Sequence, residues 1–249
     1  MKLDKPETDE IERPTLDFSL REDVGPLNVS FQELLLRFQS LAGRHVELLG
    51  IGKEYSERTK NVFVLCRERI HFPKPLAKNE NYTLVTYPLT PGKLQMQREA
   101  YLLDSDRECR MLLDSIWVLV DFETRRMKRT NDVVLAQAKY PAFSTFTPLF
   151  EEKLAAIGEP TEVLGEPVDV HQVTKEDLDV NDHMNNTVYL KLVQPYLKGV
   201  VSDIEIDYEK ECRLNETLSI YRMDQDGKSL FLGYKEDGSL SFKVLFTYF

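Results

Sequence analysis

Between Phe31 and His45 the apolar positions recur at Phe31, Leu34, Leu35, Phe38, Leu41, Ala42 and His45, the spacing of one buried helix face. Ser30 and Glu33 precede and open this run as a capping box, and Gly50 and Gly52 stop it. Further along, alternation and β-branched or aromatic content predict strands over Gln97–Leu103 and Met111–Val120, with the turn Asp104-Ser105-Asp106 between them. The same reading applies to Ser229–Tyr234 and Ser239–Phe249, separated by Glu236-Asp237-Gly238. A second, shorter helix is predicted after Asn186, taken as its cap, and should end near Pro195, which cannot continue it.

These patterns repeat. The segment from Ile70-His71-Phe72 to Asn79-Glu80-Asn81-Tyr82-Thr83-Leu84 matches that from Ile206-Asp207-Tyr208 to Asn215-Glu216-Thr217-Leu218-Ser219-Ile220 at a constant offset of 136 positions. Each copy has one helix and then a long antiparallel sheet, which predicts an α+β protein with each sheet wrapped around its own helix. The expected organisation is a flexible segment over 1–15, a first unit over 16–130, a linker over 131–160 marked by Pro141, Pro148 and Pro160, and a second unit over 161–249. Aligning Asp23-Val24 with Asp179-Val180 pairs Ser30 with Asn186, Gly25 with Asn181 and Leu27 with His183. By this alignment only the second unit carries polar chemistry.

That chemistry is concentrated in Asp179-Val180-Asn181-Asp182-His183-Met184-Asn185-Asn186-Thr187. In extended backbone Asp179, Asn181 and His183 project from one side, with Val180 and Asp182 on the other. A strand or turn would deliver them to a helix N-terminus. The backbone amides around Asn185 and Asn186, at the positive end of the helix dipole, could there stabilise developing negative charge.

Composition narrows the rest. The chain has 249 residues, 42% of them hydrophobic and 30% charged, and a net charge of −10, which argues against nucleic acid. No apolar stretch approaches the ~20 residues of a membrane-spanning helix. The polar, acidic start, without an apolar core or an Arg/Ser-rich stretch, predicts a cytoplasmic protein. Cys66, Cys109 and Cys212 lack metal-like spacing and fit a reducing compartment. There is no phosphate loop, metal cluster or dinucleotide fingerprint, so neither a metal nor a cofactor is expected.

The run Asp177–Leu190, DLDVNDHMNNTVYL, resembles the D-x-N-x-H-x-N-N signature of the acyl-acyl carrier protein thioesterases. Tyr208-Glu209-Lys210-Glu211-Cys212 is similar to that family's Glu-Cys block, and Asp121–Arg126 to its segment after a Trp-bearing strand. The likeness runs from about Leu16 to the C-terminus. It implies a tandem (double) hotdog fold and hydrolysis of fatty acyl-acyl carrier protein to free fatty acid. It also implies Asp179, Asn181, His183 and Glu211 as functional residues and an acyl carrier protein as partner.

Asp179 could then be general base or nucleophile, Asn181 could orient it or bind water, His183 could position the carbonyl or move a proton, and Glu211 could hold water. Cys212 as nucleophile, with His183 and Asn181, is the lesser alternative. Neighbours on a strand face opposite sides, and a free cysteine is commonly buried. Carrier proteins are acidic, so docking needs a local basic patch. Arg125, Arg126, Lys128 and Arg129 offer one, or else are a solvated linker entrance. Competing functions are an acyl-CoA thioesterase on the same fold and a non-catalytic acyl-binding module. The duplication allows a monomeric pseudo-dimer or a homodimer.

Overall fold

The computed structural model describes residues 20–25, 30–130, 148–160 and 165–249. The first half contains β1 (Leu20–Val24), α1 (Phe31–Leu48), α2 (Lys53–Thr59), β2 (Asn61–His71), β3 (Tyr82–Pro88), β4 (Gln95–Leu103), β5 (Cys109–Asp121) and the short β6 (Met127–Lys128). The second contains β7 (Asp169–Gln172), α3 (Asn186–Val193), β8 (Val201–Tyr208), β9 (Thr217–Gln225), β10 (Lys228–Lys235) and β11 (Leu240–Tyr248). The helix α2 is additional to the one helix per half expected.

Of the capping box expected at the start of α1 one bond forms, and the Glu33 carboxylate lies 3.6 Å from Arg37 Nη2 instead; the glycine stop holds. Ser30 Oγ accepts from Glu33 N, and Gly50, at φ 76°, donates to Glu47 O while Ile51 N reaches Val46 O. That pair of bonds is a Schellman closure, which requires the left-handed conformation glycine adopts without strain. In the second helix the cap is Asn185, one residue earlier than expected. Its Oδ1 accepts from Thr187 N at 2.9 Å, and Asn186 is the first helical residue.

The strands form one continuous sheet in the order β1-β3-β4-β5-β2-β8-β11-β10-β9-β7, with β6 beside β5. The order reads the same from either edge once each first-half strand is exchanged for its second-half equivalent. At the joint, β2 and β8 pair antiparallel from Arg67↔Asp207 to His71↔Asp203. Arg69 faces Glu205, a residue 136 positions later, so an approximate twofold axis passes through this pair. Two hotdog units therefore meet edge to edge. Their cores merge: α1 packs on α3, and Leu35, Phe38, Leu190 and Val193 share one apolar cluster with Ile70, Leu102, Ile206 and Phe246. Phe31 N donates to Gln194 Oε1 at 3.1 Å, tying the start of α1 to the end of α3.

Of the expected linker, 131–147 lies outside the described residues, as do 1–15 and Leu27. Residues 148–160 pack on the sheet. Leu149 and Phe150 sit against Val85, Tyr87 and Tyr101, the Arg69 guanidinium lies 3.9 Å from the Phe150 ring centre, and Ile157 N donates to Asp207 Oδ2 at 2.9 Å.

Candidate active site

The second half differs from the first in the connection before its helix. Six residues, 25–30, join β1 to α1, whereas thirteen, 173–185, join β7 to α3. The strand β1 is the equivalent of β7, so aligning Asp23-Val24 with Asp179-Val180 does not hold. Asp23 belongs to β1 and accepts from Thr83 Oγ1, and the motif occupies added length without a first-half counterpart.

Nor is the motif extended. Asp179 to His183 close a tight turn in which Asp179 N donates to His183 O at 2.7 Å and Asp182 takes φ 60°. Asp179 Oδ1 accepts from Asn181 N (2.8 Å) and His183 N (3.2 Å), and Asn181 Nδ2 lies 3.4 Å from Oδ2. This side chain thus shapes the loop that carries the other two, as Asp does in turns. Val180, at the apex, is 99% exposed.

The loop is held from both sides. Asn185 N donates to Asp177 O and Met184 N to Cys212 O, each at 2.8 Å. The second bond brings in the chain after β8, where Glu211 Oε2 stands 3.3 Å from His183 Nδ1. Glu211 Oε1 accepts from Arg125 Nη2 and Arg213 Nη2, both at 3.2 Å. Arg125 comes from the first half, just beyond β5, so the second-half carboxylate is oriented by a first-half cation.

Asp179, Asn181, His183, Asn185, Asn186, Glu211 and Arg125 line one cleft of about 1480 Å³. From the motif it runs into the first half between α1 and the sheet, over Ala42, Val46, Ile51, Leu65, Met96 and Trp117. The volume exceeds the ~300–1,000 Å³ of most small-molecule pockets. Trp117 packs against the buried cluster of Ile51, Tyr55 and Met96 and also forms a wall of this cleft, with Nε1 donating to Ser115 Oγ at 2.9 Å.

Cys212 is not among the lining residues. It is fully buried, its Sγ lies 3.1 Å from Ser241 Oγ, and burial pushes its thiol pKa up, away from the thiolate a nucleophile needs. The basic run also divides. Arg125 enters the site, Lys128 pairs with Asp121 at 3.0 Å, and Arg126 and Arg129 are exposed. Arg125 and Arg213 as partners of Glu211, and Tyr189 and Tyr208 as cleft walls, were not assigned to the site by sequence reasoning. Arg125 and Glu211 are 86 positions apart, and nothing local signals their meeting. Among the described residues no group of three or more His, Cys, Asp or Glu side chains could hold a metal ion.

The family model for the acyl-ACP thioesterase N-terminal domain matches residues 23–138, and that for the C-terminal domain matches 167–239. This chain belongs to the acyl-ACP thioesterase family. It is 22% identical over 228 residues to a chloroplastic palmitoyl-acyl carrier protein thioesterase of Cuphea hookeriana, covering 85% of this chain and 55% of the relative. It is 24% identical over 197 residues to the oleoyl-acyl carrier protein thioesterase 2 of Arabidopsis thaliana, covering 72% and 53% respectively. The chain thus spans about half the length of the curated relatives it matches.

Its fold is shared with an acyl-ACP thioesterase from Bacteroides thetaiotaomicron at a TM-score of 0.74, with 14% identity over 92% of this chain and 97% of that one. It is shared as well with the 12:0-ACP thioesterase from Umbellularia californica, at 0.74, 17%, 92% and 96%. In this family member the double hotdog places the Asp-Asn-His loop and Glu211 along one cleft whose first-half walls include Leu65, Met96 and Trp117.

Proposed function

We propose that this chain hydrolyses the thioester of fatty acyl-acyl carrier protein, releasing free fatty acid. The observation that carries the reading is the convergence of Asp179, Asn181, His183 and Glu211 on one cleft that also has apolar walls in the first half. Water adds to the thioester carbonyl and gives its proton to the Asp179 carboxylate or to His183. Glu211, 3.3 Å from His183 Nδ1, fixes the ring. The amide of Asn185 is already bound to Asp177 O, so the Asn186 amide, opening α3, is the one that supplies an oxyanion donor. Collapse of the adduct breaks the C–S bond, and the thiolate leaves with a proton returned from the same groups. The acyl chain lies along Leu65, Met96 and Trp117 in the first half, where each methylene removed from water contributes about 0.8 kcal/mol. The second half thus supplies the chemistry and the first shapes the acyl pocket.

Acyl carrier protein is the partner this reading requires, and Arg126, Lys128 and Arg129 remain the candidate docking cations. Three free cysteines accord with a reducing compartment such as the cytoplasm; the named plant relatives are chloroplastic. Among the described residues no helix is long and apolar enough to cross a membrane.

The decisive experiment is product analysis across a panel of acyl-carrier and acyl-CoA thioesters. Free fatty acid released faster from the carrier thioesters is expected. Release from CoA thioesters alone would make this an acyl-CoA thioesterase, and tight binding without release from either would make it a binding module.

A further inference from the structure

Glu68 is a buried carboxyl of the first half that the chemistry above does not use. Glu68 lies on the inner face of β2 opposite Ile206, at the joint between the halves, and is fully buried. Its Oε2 accepts from the Tyr208 hydroxyl at 2.7 Å, and its Oε1 has no hydrogen-bond partner among the described residues. Burial pushes its carboxyl up to about 7. An apolar residue would pack here without the cost of removing a carboxyl from water. What Glu68 does achieve is to hold Tyr208.

Tyr208 is the last residue of β8. Its ring packs on Tyr189 of α3 at 5.8 Å between centres, and both rings line the cleft. From Tyr208 the chain leaves the sheet, and three residues on it presents Glu211 to His183. The arm has a second anchor, since Ser241 Oγ donates to Lys210 O at 2.8 Å while lying 3.3 Å from Tyr189 Oη.

We propose that Glu68 is a positioning residue of this site: through the Tyr208 hydroxyl it fixes the root of the arm that carries Glu211, and so the alignment of Glu211 with His183. The inference rests on the thioesterase reading for its kinetic test, and has a second test that does not.

Kinetically, Glu68→Met and Tyr208→Phe should each lower kcat roughly tenfold, as a small displacement of a reacting group does, and leave KM within about twofold. The double variant should be no slower than either single, because both remove one bond. Glu68→Gln should restore kcat, since an amide oxygen accepts the same hydroxyl. Glu68→Met should also melt no lower than the parent, because it replaces a buried carboxyl with an apolar side chain; a purely structural role predicts the opposite. Should Glu68→Met fail to fold, Tyr208→Phe, which deletes one oxygen, decides alone.

Independently of turnover, the His183 imidazole resonances should shift in Glu68→Met and return in Glu68→Gln; with four histidines in the chain they are assignable. If the parent hydrolyses no thioester, the functional reading fails and this measurement still judges the proposal. Unchanged kcat and unmoved His183 resonances in both Glu68→Met and Tyr208→Phe would overturn it, as would a loss of activity that Glu68→Gln does not rescue.

Discussion

At the scale of single residues, the division of labour between Asp179 and Cys212 follows from what surrounds each. Asp179 is partly exposed at the cleft and braces its own loop through two amides, whereas Cys212 is buried beside Ser241. Asp179→Asn should therefore abolish most turnover, since an amide neither accepts a proton nor attacks. It should leave the fold largely intact, because Asn forms similar turns. Cys212→Ala should keep most activity. Steady-state rates with melting curves check both, and a dead Cys212→Ala beside an active Asp179→Asn would restore the thiol route.

Buried carboxyls make a second prediction at this scale. Glu68 and Glu99 are both raised by burial to about 7. Between the ordinary carboxyl range and pH 7 the native chain thus binds more protons than the unfolded one, and stability falls as pH rises through that window. For Glu68 the loss is on the order of 3 kcal/mol, at 1.36 kcal/mol per unit of difference. Glu68→Gln should flatten this decline, and melting temperatures measured from about pH 5 to about pH 8 would show it. An equal decline in the variant would mean that Glu68 does not titrate there.

At the scale of elements, α3 is only eight residues long, and its start is organised by Asn185. The Asn185 Oδ1 accepts from both the amide and the hydroxyl of Thr187, and the same residue's amide ties back to Asp177 O. Asn185→Ala should cost about 1 kcal/mol of stability, the usual price of a lost N-cap. Because the capped end faces the cleft, kcat should fall as well. Asn185→Asp, which caps equally well, should recover the stability, and denaturant midpoints separate the two effects. A kcat unchanged in Asn185→Ala would show that the helix end takes no part in turnover.

At the scale of the molecule, the site exists only because two halves share one sheet. Arg125 crosses from the first half to Glu211, and the cleft runs the other way beneath α1. Arg125 and its basic neighbours should therefore differ in kinetics. Arg125→Ala should lower kcat. Replacing Arg126 and Lys128 by Ala should raise KM for carrier-bound substrate and leave a small neutral thioester untouched, and added salt should mimic it, as screening sets in beyond roughly 8 Å at physiological ionic strength. Equal kinetics in the double variant on both substrates, at low and high salt, would move docking to another surface.

Local order was readable along the chain because each piece obeys a local rule. The apolar stripe from Phe31 to His45 can be buried only as a helix, the Gly50 stop needs positive φ, and the 136-position repeat survives as the pairing of Arg69 with Glu205. The polar set Asp179, Asn181 and His183 was likewise visible as a motif. Its shape was not, because alternation cannot distinguish a strand from a turn. The turn is imposed by the Asp179 side chain and by Met184 pairing with the distant Cys212 backbone. Only the tertiary structure brought Arg125 to Glu211 and Glu68 to Tyr208, across 86 and 140 positions, and opened the cleft between α1 and the sheet. Contacts of that range leave no periodic trace in a single chain, since they depend on which strand edges meet, and the joint of β2 with β8 decides that.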